Sequence, residues 1–213
     1  MCKRLLKTLV AVAMLYGLPV MAIEEAKYSV VIQDGDFELR DYQPHLLAEV
    51  VVDGSFEEAG SNAFRYLFKY ISGENRPELE ITMTAPVSQQ VVGEEISMTA
   101  PVSQYADKGR YVVSFMMPAS YSLETLPRPR DDKVAIRQVA AQRMAVVTYS
   151  GTWSQANYEE SKQALEAWMA ANDLKVVGEA VWARYNAPFS LWFLRRNEIQ
   201  FPVAVKSAPT EPE

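Results

Sequence analysis

The sequence predicts an α+β fold in which two βα-type halves build one barrel-like or saddle-shaped sheet with two helices packed on it. Strand-like periodicity gives way to helical periodicity, returns to strands, and then the whole order recurs. An offset of 97 residues carries Leu39-Arg40 onto Ile136-Arg137, Ala48 onto Ala145, Val50 onto Val147, Gly54 onto Gly151 and Phe56 onto Trp153, with no gap between them. Setting aside an N-terminal segment of 22 residues leaves 191, enough to bury one core as a single domain.

That segment reads as a signal peptide. Lys3, Arg4 and Lys7 form a basic start, Leu9 to Val20 is an apolar run too short to span a bilayer comfortably, and Val20-Met21-Ala22 offers small residues for cleavage. The expected mature chain begins near Ile23 and is periplasmic or secreted, with no stable membrane anchor. It has no cysteine, so its core must hold together without disulfides. Its balance is 18 Lys+Arg against 27 Asp+Glu, or −9, compared with −6 for all 213 residues. An acidic chain without a basic stripe argues against nucleic acid and against electrostatic docking on anionic lipid.

Along the chain, Tyr28–Gln33 and Phe37–Asp41 are β-like runs around the turn signal Asp34-Gly35. His45–Val52 is a further β-branched run, ended by Asp53-Gly54. From Ser55 the spacing becomes helical. Phe56, Gly60, Ala63, Phe64, Leu67 and Ile71 share a face, Ser55 is the expected N-cap with Glu58 as its capping-box partner, and Ser72-Gly73 stops the helix. A second helix is expected from Trp153 to about Ala171, followed by strands over roughly Lys175–Tyr185 and Ser190–Val203. The pseudo-repeats then span about 28–104 and 109–203 of a domain covering 23–205, with 206–213 a polar, proline-containing, disordered tail.

The phrase I-x-M-T-A-P-V-S-Q occurs twice, at Ile81–Gln89 and Ile96–Gln104. Alternation in the first copy puts Ile81, Met83 and Ala85 on one side of a strand, which must end or shift to an edge at Pro86. Thr, Ala, Pro and Val supply no acid, base or activated nucleophile, so the phrase is architectural. The sequence has no nucleophile elbow, metal-ligand spacing or phosphate-cradling glycine loop. With one histidine and no mature cysteine, the chain reads as non-enzymatic.

On a helical wheel that starts at Phe56, Phe64 at about 80° and Phe68 at about 120° widen the apolar stripe beyond what a helix lying on a sheet normally buries. Arg65 and Lys69 flank this extension and could meet carboxylates. Leu165 and Trp168 give the second helix a similar extension, so duplication alone is a competing explanation of the width.

Four segments carry a resemblance to the SOUL haem-binding protein family over about Tyr28 to Val203. They are FELRDY at Phe37–Tyr42, FRYLFKYISGEN with the following ITMTAPV, FMMPASYSLETLPRPRDDKVAIRQV at Phe115–Val139, and ARYNAPFSLWFLRRNEIQFPV with its R-R-N-E signature at Arg195–Glu198. The doubled M-T-A-P-V is similar to an arrangement in bacterial members. The resemblance implies a distorted antiparallel barrel of about eight strands with two flanking helices and an internal pseudo-twofold. It also implies reversible binding of haem or another tetrapyrrole in an apolar cleft against the first helix, with Phe64 and Phe68 on the ring face and Arg65 and Lys69 for the propionates. Where some members carry a histidine ligand this chain has Asp41, which leaves His45 as the one candidate for an axial ligand. Arg195–Glu198 is expected to close the sheet through ion pairs and hydrogen bonds. Because the fold is shared with effector-binding domains, the alternatives are a module for another apolar ligand or protein partner, or a hydrolase with a buried, perturbed Glu or Tyr.

Overall fold

The computed structural model describes residues 23–77 and 93–204. The expected signal peptide, the first copy of the doubled phrase and the expected tail at 206–213 lie outside the described residues. Strands β1 (Tyr28–Asp34), β2 (Phe37–Tyr42) and β3 (His45–Val52) lead into helix α1 (Phe56–Ile71), followed by β4 (Asn75–Arg76), β5 (Val102–Asp107) and β6 (Arg110–Met116). Strands β7 (Arg128–Pro129), β8 (Val134–Val139) and β9 (Gln142–Tyr149) then lead into α2 (Gln155–Ala171), β10 (Val181–Arg184) and β11 (Asn197–Pro202). Nine strands make one antiparallel sheet in the order β1-β2-β9-β11-β10-β5-β6-β3-β8, curled into a half-barrel, and β4 pairs separately with β7.

The duplication is written into this pairing. His45 and Gln142, which open β3 and β9, are 97 residues apart, as are Phe37 and Val134, which open β2 and β8. The same shift turns the pair Phe37↔Val147 into Val134↔Val50, so the β2–β9 and β3–β8 ladders have one register. Each half lends a strand to the other: β2 pairs with β9 and β3 with β8. The order β2-β9-β11-β10 mirrors β8-β3-β6-β5, and the halves join where β10 meets β5. These eight strands match the expected number; β1 is a ninth, added outside β2.

Local chemistry sets the helix ends. The Ser55 hydroxyl accepts from the Glu58 N–H while the Glu58 carboxylate accepts from the Ser55 N–H, a complete capping box. The helix stops at Ser72, whose N–H donates to the Phe68 carbonyl at 2.9 Å, and Gly73 follows with a φ of +99°. The second helix starts later than the periodicity predicts. The Trp153 indole donates to Asn197 Oδ1 at 2.8 Å, with the Arg195 guanidinium over its ring, and Ser154 caps the helix in its place.

Each helix covers its own core on one sheet face. Beneath α1 lie Leu46, Ala48, Val50, Val113 and Phe115; beneath α2 lie Leu39, Ala145, Val147, Trp182 and Ile199. Strand alternation turns the neighbouring residues to the opposite face. In the second copy of the doubled phrase, the strand begins after Pro101 rather than before it. Ile96 and Ala100 are buried while Met98 is 47% exposed, so this copy reaches the sheet as an extended approach. The strands expected over Lys175–Tyr185 and Ser190–Val203 shorten to Val181–Arg184 and Asn197–Pro202, with a 3₁₀ turn at Trp192–Leu194.

Candidate functional site

Phe64 and Phe68 stand one turn apart on α1, which sets them side by side. Their rings are stacked with centroids 5.6 Å apart and planes 13° from parallel, and Phe64 also meets the edge of Phe115 on β6 at 5.5 Å. They are 38% and 45% exposed, whereas Ala63 and Leu67, each just before one of them, are fully buried. The pair is thus an aromatic shelf resting on the core.

The second helix separates this shelf from the requirements of the fold. Gly60, Leu67, Tyr70 and Ile71 are buried on α1, and Tyr158, Leu165, Trp168 and Met169, each 98 residues later, are buried on α2. Leu165 and Trp168 are therefore counterparts of core residues, not of the shelf. The same spacing matches Phe64 and Phe68 to Lys162 and Glu166, which make an exposed ion pair at 3.8 Å. The duplicated scaffold accepts charge at both positions.

The two predicted cations have partners of their own. Arg65 turns to the other flank of α1, donating to the Tyr66 hydroxyl at 2.9 Å with its guanidinium 4.8 Å from the ring centroid. Lys133 reaches the same hydroxyl at 3.1 Å, and these two donors, Lys133 foremost, lower the Tyr66 pKa. Lys69 pairs with Glu74 at 3.3 Å, both side chains more than half exposed. Lys133 is an addition to the expected cations. No local pattern marks it, because 67 residues separate it from Tyr66.

His45 is not brought to the shelf. Leu46 and Ala48 face α1, so His45 and Leu47 face the opposite side of β3. Its Nδ1 lies 2.9 Å from the Gln43 carbonyl. It lines a cavity of about 440 Å³ together with Met116 and Met117, and another of about 90 Å³ with Met116, Met144 and Tyr185. Asp41, on β2, accepts from Nε and a terminal nitrogen of Arg143 at 2.7 and 2.8 Å.

The R-R-N-E signature supplies the centre of a polar network on that same opposite face. Glu198 is 2% exposed and accepts from Arg40 at 3.0 Å, Tyr185 at 2.7 Å and Gln200 at 2.8 Å. Burial works against the Arg40 cation, but Glu198, Tyr42 and Glu38 together outweigh it and hold the Arg40 pKa above its ordinary value. Burial, reinforced by Glu198, raises the Tyr185 and Tyr42 hydroxyls. A carboxylate paired with arginine and met by these donors is a fastening between strands. Among the described residues no cluster of His, Cys, Asp and Glu could hold a metal ion.

The strand expected from Ser190 begins only at Asn197, and the residues before it form an exposed surface. Phe189 is 91% exposed, Leu191 58%, Trp192 57%, Phe193 52% and Leu194 67%. An apolar hexapeptide flanked by Pro188 and Arg195-Arg196 looks the same in sequence whether it pairs in a sheet or projects from it.

Comparison with known proteins gives a concordant result. The family profile described as SOUL heme-binding protein matches residues 23–202. Heme-binding protein 2 of Homo sapiens is 28% identical over 176 residues, covering 78% of this chain and 81% of that protein, and its Mus musculus counterpart matches to the same extent. Among solved structures, the EcmrR C-terminal domain superposes with a TM-score of 0.54 at 11% identity, over 83% of this chain and 98% of that one. A hydrolase from Listeria innocua gives 0.52 at 10% identity, over 82% and 94%. At such identities these two likenesses concern the fold alone.

Proposed function

This chain belongs to the SOUL heme-binding protein family, and we propose that it binds haem or a related tetrapyrrole reversibly, without chemical turnover, in an apolar cleft beside α1. The observation that carries this reading is the Phe64–Phe68 shelf: two half-exposed, nearly parallel rings at positions where the duplicated helix carries Lys162 and Glu166. Exposed aromatic area that the scaffold does not need supports a role in contacting a flat apolar ligand.

In this reading Phe64 and Phe68 contact the ring face, and Arg65 and Lys69, joined by Lys133, meet the propionates. The Lys69–Glu74 pair is exposed, so exchanging it for a propionate costs no more than about 1 kcal/mol. Because His45 opens onto the opposite face of β3, a ring on the shelf is held by contact and charge rather than by this histidine. A His45 ligand to iron would require a second seat, in the cavity above Met116 and Met117. The export signal read in the first 22 residues would place the protein in the periplasm or outside the cell, where a reversible binder can carry or buffer a tetrapyrrole.

The test is titration with hemin of the chain beginning at Ile23. A saturable Soret change is expected, weakened at least about tenfold by Phe64→Ser/Phe68→Ser at unchanged melting temperature. Absence of a saturable change, or indifference to both substitutions, overturns the reading. The runner-up is an effector-type module, and it rests on the cavity of about 440 Å³ beside His45. Native mass spectrometry would reveal an apolar ligand retained there while hemin binds only nonspecifically.

A further inference from the structure

The loop from Asn186 to Leu194 carries no charged residue over nine positions, and five of its last six side chains are large, apolar and more than half exposed. With roughly 150–250 Å² in a whole aromatic side chain, these five expose on the order of 600 Å², the upper end of the largest patch a soluble monomer presents. At 91% exposure, Phe189 touches almost nothing of its own chain. An apolar tip of this size, standing clear of the body, calls for an occupant.

We propose that Phe189–Leu194 is a docking tip for a zwitterionic lipid surface, entering the boundary between headgroups and acyl chains reversibly. Charge selects this occupant. Arg195, the cation that could have faced an anionic surface, is turned inward: its Nε donates to the Ser190 carbonyl at 3.0 Å and a terminal nitrogen to the Pro188 carbonyl at 2.7 Å, with its guanidinium over Trp153. Arg196 pairs with Glu25, and the whole chain is acidic. An uncharged tip on an acidic protein matches a surface without net charge and gains nothing from anionic lipid.

The backbone of the tip points the same way. The carbonyls of Ala187, Pro188, Ser190, Leu191 and Trp192 all accept hydrogen bonds from within the protein. Carbonyls already satisfied within the chain lower the cost of carrying this part of the backbone to the headgroup boundary. Trp, Phe and Leu are also the side chains that settle at that depth.

The experiment is co-sedimentation of the chain beginning at Ile23 with phosphatidylcholine vesicles; this start removes the apolar stretch of the first 22 residues and keeps all the described residues. Partition is expected to change less than about twofold between low and high salt. It should weaken more than about tenfold in Phe189→Ser/Trp192→Ser/Phe193→Ser, with an unchanged melting temperature. A single Phe189→Asp, at a position too exposed to affect folding, should repeat most of the loss. Equal partition of the variants, no partition at all, or partition only into anionic vesicles and abolished by salt overturns the proposal. It is likewise overturned if the loop substitutions abolish a concentration-dependent dimer while vesicle binding is absent, or if they change hemin affinity alone.

Discussion

Arg40 and Glu198, 158 residues apart, form an ion pair whose side chains are 4% and 2% exposed. It joins β2 near the start of the chain to β11 at its end, on the sheet face turned away from the helices. Arg40 also pairs with Glu38, so Glu198→Gln weakens rather than abolishes its charge compensation and is expected to destabilise the fold by about 2 kcal/mol. Arg40→Met/Glu198→Leu, which removes both members of the pair, should cost distinctly less than Arg40→Met and Glu198→Leu added together. Denaturant unfolding of Arg40→Met, Glu198→Leu and the double variant measures this; strict additivity would mean that the pair is not coupled.

A steric contact fixes one position of α1. A Cβ on Gly60 would lie 2.6 Å from both terminal nitrogens of Arg184. That guanidinium also packs over Trp182, and burial lowers its pKa to about 10. Gly60→Ala should therefore lose about 1–2 kcal/mol, overpacking outweighing the helix propensity gained. In an Arg184→Ala background the same change should instead stabilise by up to about 1 kcal/mol. Thermal unfolding in both backgrounds reads the reversal of sign.

The two faces of α1 should respond oppositely to substitution. Leu67 is fully buried, and Leu67→Ala is expected to cost about 2–5 kcal/mol. Phe68→Ser one residue on, at 45% exposure, should stay within about 1 kcal/mol. A large loss at Phe68 in urea unfolding would make the shelf part of the core and remove the basis of the proposed cleft.

Alkali should unfold the protein through its tyrosines. Burial pushes Tyr149 up to about 12 and raises Tyr70 and Tyr158 as well. Below pH 10 these hydroxyls keep their protons in both states, and the stability associated with them is intact. Above pH 10 the unfolded chain releases protons that the folded one retains, so stability falls until the folded pKa is passed. Each such tyrosine contributes a slope of up to about 1.4 kcal/mol per pH unit. Absorbance at 295 nm should show these ionisations arriving together with loss of circular dichroism; free titration of all eleven tyrosines near pH 10 in a folded protein would contradict the burial.

The capping box predicts a smaller effect. Ser55→Ala removes the acceptor for the Glu58 N–H and should cost about 1 kcal/mol, measurable as a lowered melting temperature.

The sequence by itself determined what depends on near neighbours: the hairpin at Asp34-Gly35, the span of α1 with its Ser55–Glu58 cap, and the 97-residue echo between the halves. These rest on backbone propensity, capping and periodicity, all of which act within a few residues. Periodicity also placed Phe64 and Phe68 at the edge of the buried stripe. Only the tertiary structure decided that β2 would pair across halves with β9, that the shelf would stay open, and that His45 would face the other side of the sheet. It alone brought Lys133 to Tyr66 and left Phe189–Leu194 projecting. A side chain's period names its face on its own element, but whether anything covers that face depends on segments distant in the chain, and no local pattern records where they pack.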